Sequence, residues 1–224
     1  STHAFMSSRV SALVFDFDGT ILDTETPVYE SWADTYLMAG AEPVSLERWL
    51  QDIGKADGFG LDIRAELCGQ LGVDALSAQV EERRKSLCDE MIQAQPLRDG
   101  VEQWIDAAAA LGTPLGVASS SPTTWVSRHL ERLGLAHRFA TVSCADPGIA
   151  GKPDPTVYLS ACQALDASPE RALAIEDSTH GVSAAIAAGM RCIAAPGPIT
   201  KAMRFDHATV HVDSLSDVDP ADWL

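Results

Sequence analysis

Short apolar runs alternate with stretches of helical periodicity along most of the chain, and the first run sets the pattern. Ala12-Leu13-Val14-Phe15 is continuously apolar and is then cut off by Asp16, Asp18 and Gly19. A run this short, ended this abruptly, is how a strand buried on both faces of a parallel sheet reads. Beyond Thr20 the period changes. Thr26-Pro27 predicts an N-cap followed by a first-turn proline, and Val28, Trp32, Thr35 and Tyr36 recur at helical spacing until Gly40. Pro43 and Ser45 open a short helix carrying Leu46, Trp49 and Leu50. Ile53 to Gly60 reads as a glycine-rich loop, and a third helix covers Leu61 to Gln70. Asp74 starts a long helix with Leu76, Val80, Leu87 and Met91 as its apolar stripe. Glu81, Glu82, Arg83, Arg84 and Lys85 form most of its wet face. Thr26 to about Gln93 is thus predicted to be helical throughout.

From Pro96 onward strand and helix alternate. Strands are expected at Pro114–Ala118, Phe139–Ser143, Ala172–Ile175, Cys192–Ala195 and Thr209–Val212. The helices between them start near Val101, at Ser121-Pro122, at Asp154-Pro155 and before Val182, and Gly112, Gly134 and Gly189 close three of them. Such alternation implies right-handed βαβ units and a parallel sheet. The strand at Ala12 must join that sheet, because alone it has nothing to pair with. The fold expected is therefore α/β: a Rossmann-like, doubly wound parallel sheet with an inserted all-helical domain. The core takes residues 9–22 and 97–224 and the insertion 23–96, joined by linkers at Leu22–Glu25 and Ala94–Leu97.

Bulk composition narrows the function more than the fold. The 224 residues carry a formal net charge of −16, which argues against nucleic acid or an anionic membrane as partner. An anionic substrate would need local cations, from a metal or from a few placed Lys and Arg. No apolar run approaches membrane-spanning length. The five cysteines are scattered and form no C-x-x-C pair, so they read as small core residues in a reduced cytoplasm. Ser1–Phe5 reads as a cloning remnant before a start at Met6, with no secretory leader. The sequence does not set an oligomeric state, and a monomer is the working expectation.

The chemistry collects at the predicted strand ends. Asp16 and Asp18 point to the same side of the first strand, and Gly19 lets the backbone turn and something approach closely. Two carboxylates so placed repel unless compensated, and a hard cation is the usual compensation. D-x-D alone could equally be a solvated, helix-capping pair. Ser119, Lys152 and the doublet Glu176/Asp177 lie at or just past three further strand ends, and in an open parallel sheet these ends share one edge. Carboxylates, a hydroxyl and an amine on one edge suit phosphoryl transfer. Carboxylates hold Mg²⁺ with ligand positions to spare, and the hydroxyl and amine take the remaining phosphoryl oxygens. One aspartate can be the nucleophile and the other the acid/base.

These residues closely resemble the haloacid dehalogenase-like superfamily. D-x-D-G-T is Asp16-Phe17-Asp18-Gly19-Thr20, the strand ending in serine is Gly116-Val117-Ala118-Ser119, G-K-P-x-P is Gly151 to Pro155, and E-D-S-x-x-G is Glu176 to Gly181. All four occur in the family's order across essentially the whole chain. The resemblance implies that Asp16 is nucleophile and metal ligand and Asp18 acid/base, with its backbone carbonyl on Mg²⁺. It implies that Ser119 and Lys152 bind the phosphoryl group, with Ser120 and Gly19 beside them. Asp177 completes the metal site, and Glu176 is either a ligand or orients Lys152 or a metal-bound water. The insertion resembles the helical cap of the phosphatase and β-phosphoglucomutase branch, in which Asp23, Thr24 and Lys55 are candidate substrate contacts. Haloacid dehalogenases lack a carboxylate at the position of Asp18. The β-phosphoglucomutases carry a histidine where this chain has Val28. Hydrolysis of a small sugar- or polyol-type phosphate ester is therefore the expected activity, ahead of sugar phosphomutase and of a non-catalytic binding module.

Overall fold

A computed structural model describes residues 9–51, 53 and 62–224. Lys55 and nearly all of the expected glycine-rich loop lie outside the described residues. Six parallel strands, β1 (Ala12–Phe15), β2 (Leu115–Ser119), β3 (Thr141–Cys144), β4 (Ala172–Glu176), β5 (Arg191–Ala194) and β6 (Val210–His211), form one sheet in the order β3-β2-β1-β4-β5-β6. β1 lies centrally, paired with β2 (Val14 opposite Gly116) and with β4 (Val14 opposite Ala174). Between β1 and β2 the chain makes helices α1 (Glu25–Met38), α2 (Leu46–Leu50), α3 (Ile63–Leu71) and α4 (Ala78–Gln93), and then α5 (Val101–Leu111). Helices α6 (Thr123–Arg132), α7 (Thr156–Ala164) and α8 (Thr179–Ala187) separate the later strands.

The two faces of the sheet are packed differently, and the alternation along each strand is the cause. Leu13, Phe15, Leu173 and Ile175 enter a core with Trp104, Ile105 and Leu130. Ala12, Val14, Ala172 and Ala174 enter the other, where Ala161, Ala184 and Ala185 meet them. Small residues on both surfaces let α7 and α8 lie close to the strands. A third cluster, around Trp32, Tyr36, Val44 and Leu67, holds the inserted helices together.

Several element boundaries differ from expectation, each for a local reason. α1 begins at Glu25, because the Asp23 carboxylate accepts from the Thr26 N–H (3.0 Å) and hydroxyl (2.7 Å). Pro27 therefore falls within the first turn, where its missing N–H costs nothing. α4 starts at Ala78, capped by Ser77, whose hydroxyl accepts from the Val80 N–H at 3.2 Å. Its buried face is then Cys88 and Ile92, with Leu87 and Met91 only half-buried. β3 starts at Thr141, and Phe139 instead packs edge-on against Phe15 at 6.2 Å between ring centroids. The linkers into and out of the insertion run side by side, with Leu22 and Leu97 paired antiparallel.

Candidate active site

Asp16, Asp18, Ser119, Ser120, Lys152 and Asp177 line one cavity of about 200 Å³, together with Glu25, Ser121 and Ser178. The sheet explains the convergence. β1, β2 and β4 are adjacent and parallel, so their C-terminal ends open on the same edge.

Lys152 ties the carboxylates together. Its buried ammonium donates to Asp16 Oδ1 (2.7 Å), Glu176 Oε1 (2.6 Å) and the Ala118 carbonyl (2.9 Å). Burial works against that charge, but Asp16 and Glu176 outweigh it and hold the ammonium's pKa above its ordinary value. Thr20 donates to Asp16 Oδ2 at 2.9 Å and reaches Asp177 Oδ1 at 3.4 Å. Asp16 is thus gripped through both oxygens. Ser119 Oγ accepts from the Ser121 N–H (3.0 Å), and Ser120 Oγ from the Lys152 N–H (3.1 Å).

Two glycines are dictated by this packing. Gly19 has φ +83°, and a Cβ there would lie 2.1 Å from Asp177 Oδ2. A Cβ on Gly181 would lie 2.0 Å from Glu176 Oε2. The glycines of D-x-D-G-T and E-D-S-x-x-G therefore make room for the second acidic doublet.

Asp18 is held by donors that the sequence does not reveal. Ser121 Oγ donates to its Oδ2 (2.6 Å), and Thr24 Oγ1 (2.7 Å) and Trp125 Nε1 (2.8 Å) donate to its Oδ1. Burial nonetheless raises its pKa, those hydrogen bonds opposing and the Asp16 charge adding to the rise. Thr24 is buried and committed to Asp18, and Asp23 is committed to capping α1. Neither is among the residues that line this cavity; both hold the turn from β1 into α1. Other residues at the site also went unrecognised. The Tyr158 hydroxyl donates to Glu176 Oε1, Arg98 donates to the Gly19 carbonyl at 2.7 Å, and Glu25 lines the cavity.

The carboxylates fit a divalent cation. Asp16, Glu176 and Asp177 place ligand oxygens within 4.8 Å of one another, and among the described residues Lys152 is the one ammonium paired with them. Glu176 already has Lys152 and Tyr158 on Oε1 and Asp16 has a donor on each oxygen, so Asp177, met only by hydroxyls at 3.4 Å, is the freest ligand. Burial, then the charge of Asp16, pushes Glu176 up to about 7. Burial, then Asp16 and Glu176, pushes Asp177 well above the carboxylate range. Burial, then Asp18 and Asp16, pushes Glu25 up to about 8.

The sign of the pH effect follows. Folded carboxyls with raised pKa bind protons that the unfolded chain has already lost. Their contribution is present below the unfolded value and is lost as pH rises through about 7 to 8. In EDTA the melting temperature is expected to fall from about pH 5.5 to about pH 8.5. Mg²⁺ is expected to raise it more at the alkaline end, where it no longer competes with protons. Fluorimetry giving a pH-independent Mg²⁺ shift would remove this cluster as the metal site.

The family model for haloacid dehalogenase-like hydrolases matches residues 10–189. The chain belongs to the haloacid dehalogenase-like hydrolases. It is 36% identical over 212 residues, 95% of each chain, to YhcW, a candidate phosphatase of Bacillus subtilis (strain 168). It is 30% identical to the fructose-1-phosphate phosphatase YqaB of Escherichia coli (strain K12), over 84% of this chain and 97% of that one. CbbY of Rhodobacter sphaeroides, solved with phosphate, superposes with a TM-score of 0.73 at 27% identity, over 93% of this chain and 96% of that one. The haloacid dehalogenase-like core here carries its helical insertion after β1, the C1 cap arrangement, and the chain is a phosphoric monoester hydrolase. No described helix is long and apolar enough to cross a membrane.

Proposed function

We propose that the protein is a Mg²⁺-dependent phosphohydrolase that cleaves a small sugar- or polyol-type phosphate monoester through an aspartyl-phosphate on Asp16. The observation that carries this reading is the pairing of Asp16 and Asp18 on one cavity wall with different partners. Asp16 is gripped by Lys152 and Thr20, whereas Asp18 is raised in pKa and held by neutral donors. Asp16 lies against a cation, the setting an attacking carboxylate needs, and Asp18 is suited to carry a proton, the division that acid/base chemistry near neutral pH needs.

In this reading an Asp16 oxygen attacks phosphorus as the ester P–O bond breaks, and protonated Asp18 gives its proton to the leaving oxygen. Water then attacks the aspartyl-phosphate, Asp18 takes its proton, and the P–O bond to Asp16 breaks to release inorganic phosphate. Lys152 and Ser119 hold the phosphoryl oxygens. Asp16, Asp177 and the Asp18 carbonyl would hold Mg²⁺, with Glu176 beside them. Bound there, Mg²⁺ supplies charge neutralisation to the phosphoryl group. Residues 23–96 act as the cap, and Asp23 and Thr24 anchor its hinge. The five cysteines are free and buried, which suits a reducing cytoplasm.

Hydrolysis is favoured over phosphomutation because Val28, an apolar side chain packed against the core, stands on the first turns of α1. The test is phosphate release from a panel of metabolite monophosphates with Mg²⁺, hexose 1-phosphates included. Inorganic phosphate is expected. Isomer formation without phosphate release would overturn the hydrolytic reading, and no reaction with any ester would overturn the enzymatic one.

A further inference from the structure

A second chamber, of about 650 Å³, opens between α1, α3 and α4 of the cap and α6 of the core. Four cations line it, Arg64, Arg84, Lys85 and Arg128, against one acid, Asp89. In a chain with 32 acidic and 16 basic residues, this reverses the overall balance. Arg64 is neutralised by an ion pair with Glu81. Among the described residues, Arg84, Lys85 and Arg128 have no carboxylate within ion-pair distance.

The Arg84 and Arg128 guanidiniums are positioned by aromatic faces and not by acids. Arg84 lies 4.4 Å from the centre of the Trp32 ring, and Arg128 5.4 Å from that of Trp125. Stacking of this kind fixes a guanidinium plane and leaves its N–H edges for another acceptor. Arg84 Nε is buried and has no hydrogen-bond partner among the described residues. A buried donor without an acceptor is a cost that an anion in the chamber would remove.

The chamber adjoins the reactive cavity. Trp125 lines it and also donates to Asp18. Pro122 lines the first cavity and Thr124 the second, and so do Glu25 and Val28 on α1. The cations therefore stand on the wall next to the one that carries Asp18.

We propose that the substrate carries a second phosphate, seated in this chamber on Arg84, Arg128 and Lys85, so that the enzyme selects bisphosphorylated over monophosphorylated esters. The inference rests on the phosphohydrolase reading and deepens it. Two stacked guanidiniums and an ammonium match the charge and planar bonding of a phosphate better than they match a neutral sugar.

The test compares kcat/KM with Mg²⁺ on two matched pairs. Fructose 1,6-bisphosphate against fructose 1-phosphate adds a phosphate, and 6-phosphogluconate against sorbitol 6-phosphate adds a carboxylate. The bisphosphate is expected to be preferred by at least about 10-fold, carried by KM. That ratio is expected to fall by about 10-fold in Arg84→Gln/Arg128→Gln and to be restored only in part in Arg84→Lys/Arg128→Lys, which keeps the charge and loses the planar fork. A ratio near one, a ratio unmoved by the glutamine variant, or a preference only within the carboxylate pair would overturn the proposal. p-Nitrophenyl phosphate separates the two readings. Its hydrolysis without any bisphosphate preference sinks this inference alone, whereas failure on every ester sinks the phosphohydrolase reading and this inference with it.

Discussion

Asp16→Asn is expected to lower phosphate release by at least about 10⁴-fold, as removal of a covalent nucleophile does elsewhere, and to leave the fold intact. The amide has the carboxylate's shape and can still accept from Thr20, which now donates to Oδ2 at 2.9 Å. It has no charge with which to attack phosphorus. The stability side is set by opposing terms. The substitution deletes the 2.7 Å ion pair with Lys152, but Lys152 keeps Glu176 and the Ala118 carbonyl. It also removes the charge that raises both Glu176 and Asp177. Metal-free Asp16→Asn is therefore expected to melt within a few degrees of wild type, with a smaller Mg²⁺ shift, because one ligand carboxylate is gone. Acid-quenched wild-type enzyme mixed with a ³²P-labelled ester is expected to carry label, and the variant none. Turnover within about 10-fold of wild type would exclude attack by Asp16.

The positions of these groups were legible because one rule governs them. In a parallel sheet each strand's last residues reach the same edge, so Asp16, Ser119 and Glu176/Asp177 could be brought together from strand patterns alone. Lys152 was placed just past a strand end by the same rule, and the structure sets it eight residues beyond the end of β3. What holds these groups was not legible. Asp18 is fixed by Thr24, Ser121 and Trp125, three donors from the hinge, the β2–α6 turn and the first turn of α6. Nothing in the spacing of those residues signals a common target. Trp125 and Tyr158 are aromatics on helix faces that otherwise look like ordinary core, and their polar ends decide their roles.

The second chamber was not legible because hydropathy treats every cation as solvent-facing. Arg84 lies one turn from both Val80 and Leu87, on the apolar side of α4, yet its charge assigns it to the wet face. In the structure its guanidinium lies over the Trp32 ring. A long cationic side chain can cover apolar surface with its stem, so hydropathy alone assigns it to the wrong side. The same limit applies to Glu25, which the D-T-E sequence presented as linker and the structure places on the cavity wall.

Lys152→Met is expected to produce the largest combined loss, in activity and in stability, and the two losses should be separable. Removing the ammonium takes away the positive side chain nearest the phosphoryl site, an effect of about 10³-fold or more for groups that neutralise a transferring phosphoryl. It also leaves Asp16 and Glu176 buried without their cation, and breaking a buried pair on one side costs about 3–5 kcal/mol. Glu176 already sits up at about 7 with Lys152 present, so without it the carboxyl takes a proton more readily. Protonation removes the uncompensated charge. The destabilisation is therefore expected to be smaller at about pH 6 than at about pH 8. Lys152→Met/Glu176→Gln tests the cause. The amide can still accept from Tyr158 and carries no charge, so the double variant is expected to regain much of the melting temperature at pH 8 and none of the activity. Phosphate-release assays and thermal melts on the single and double variants make the comparison. Recovery of activity in the double variant would mean that Lys152 serves only to neutralise Glu176. Failure to recover stability would mean that Asp16, and not Glu176, carries the uncompensated charge.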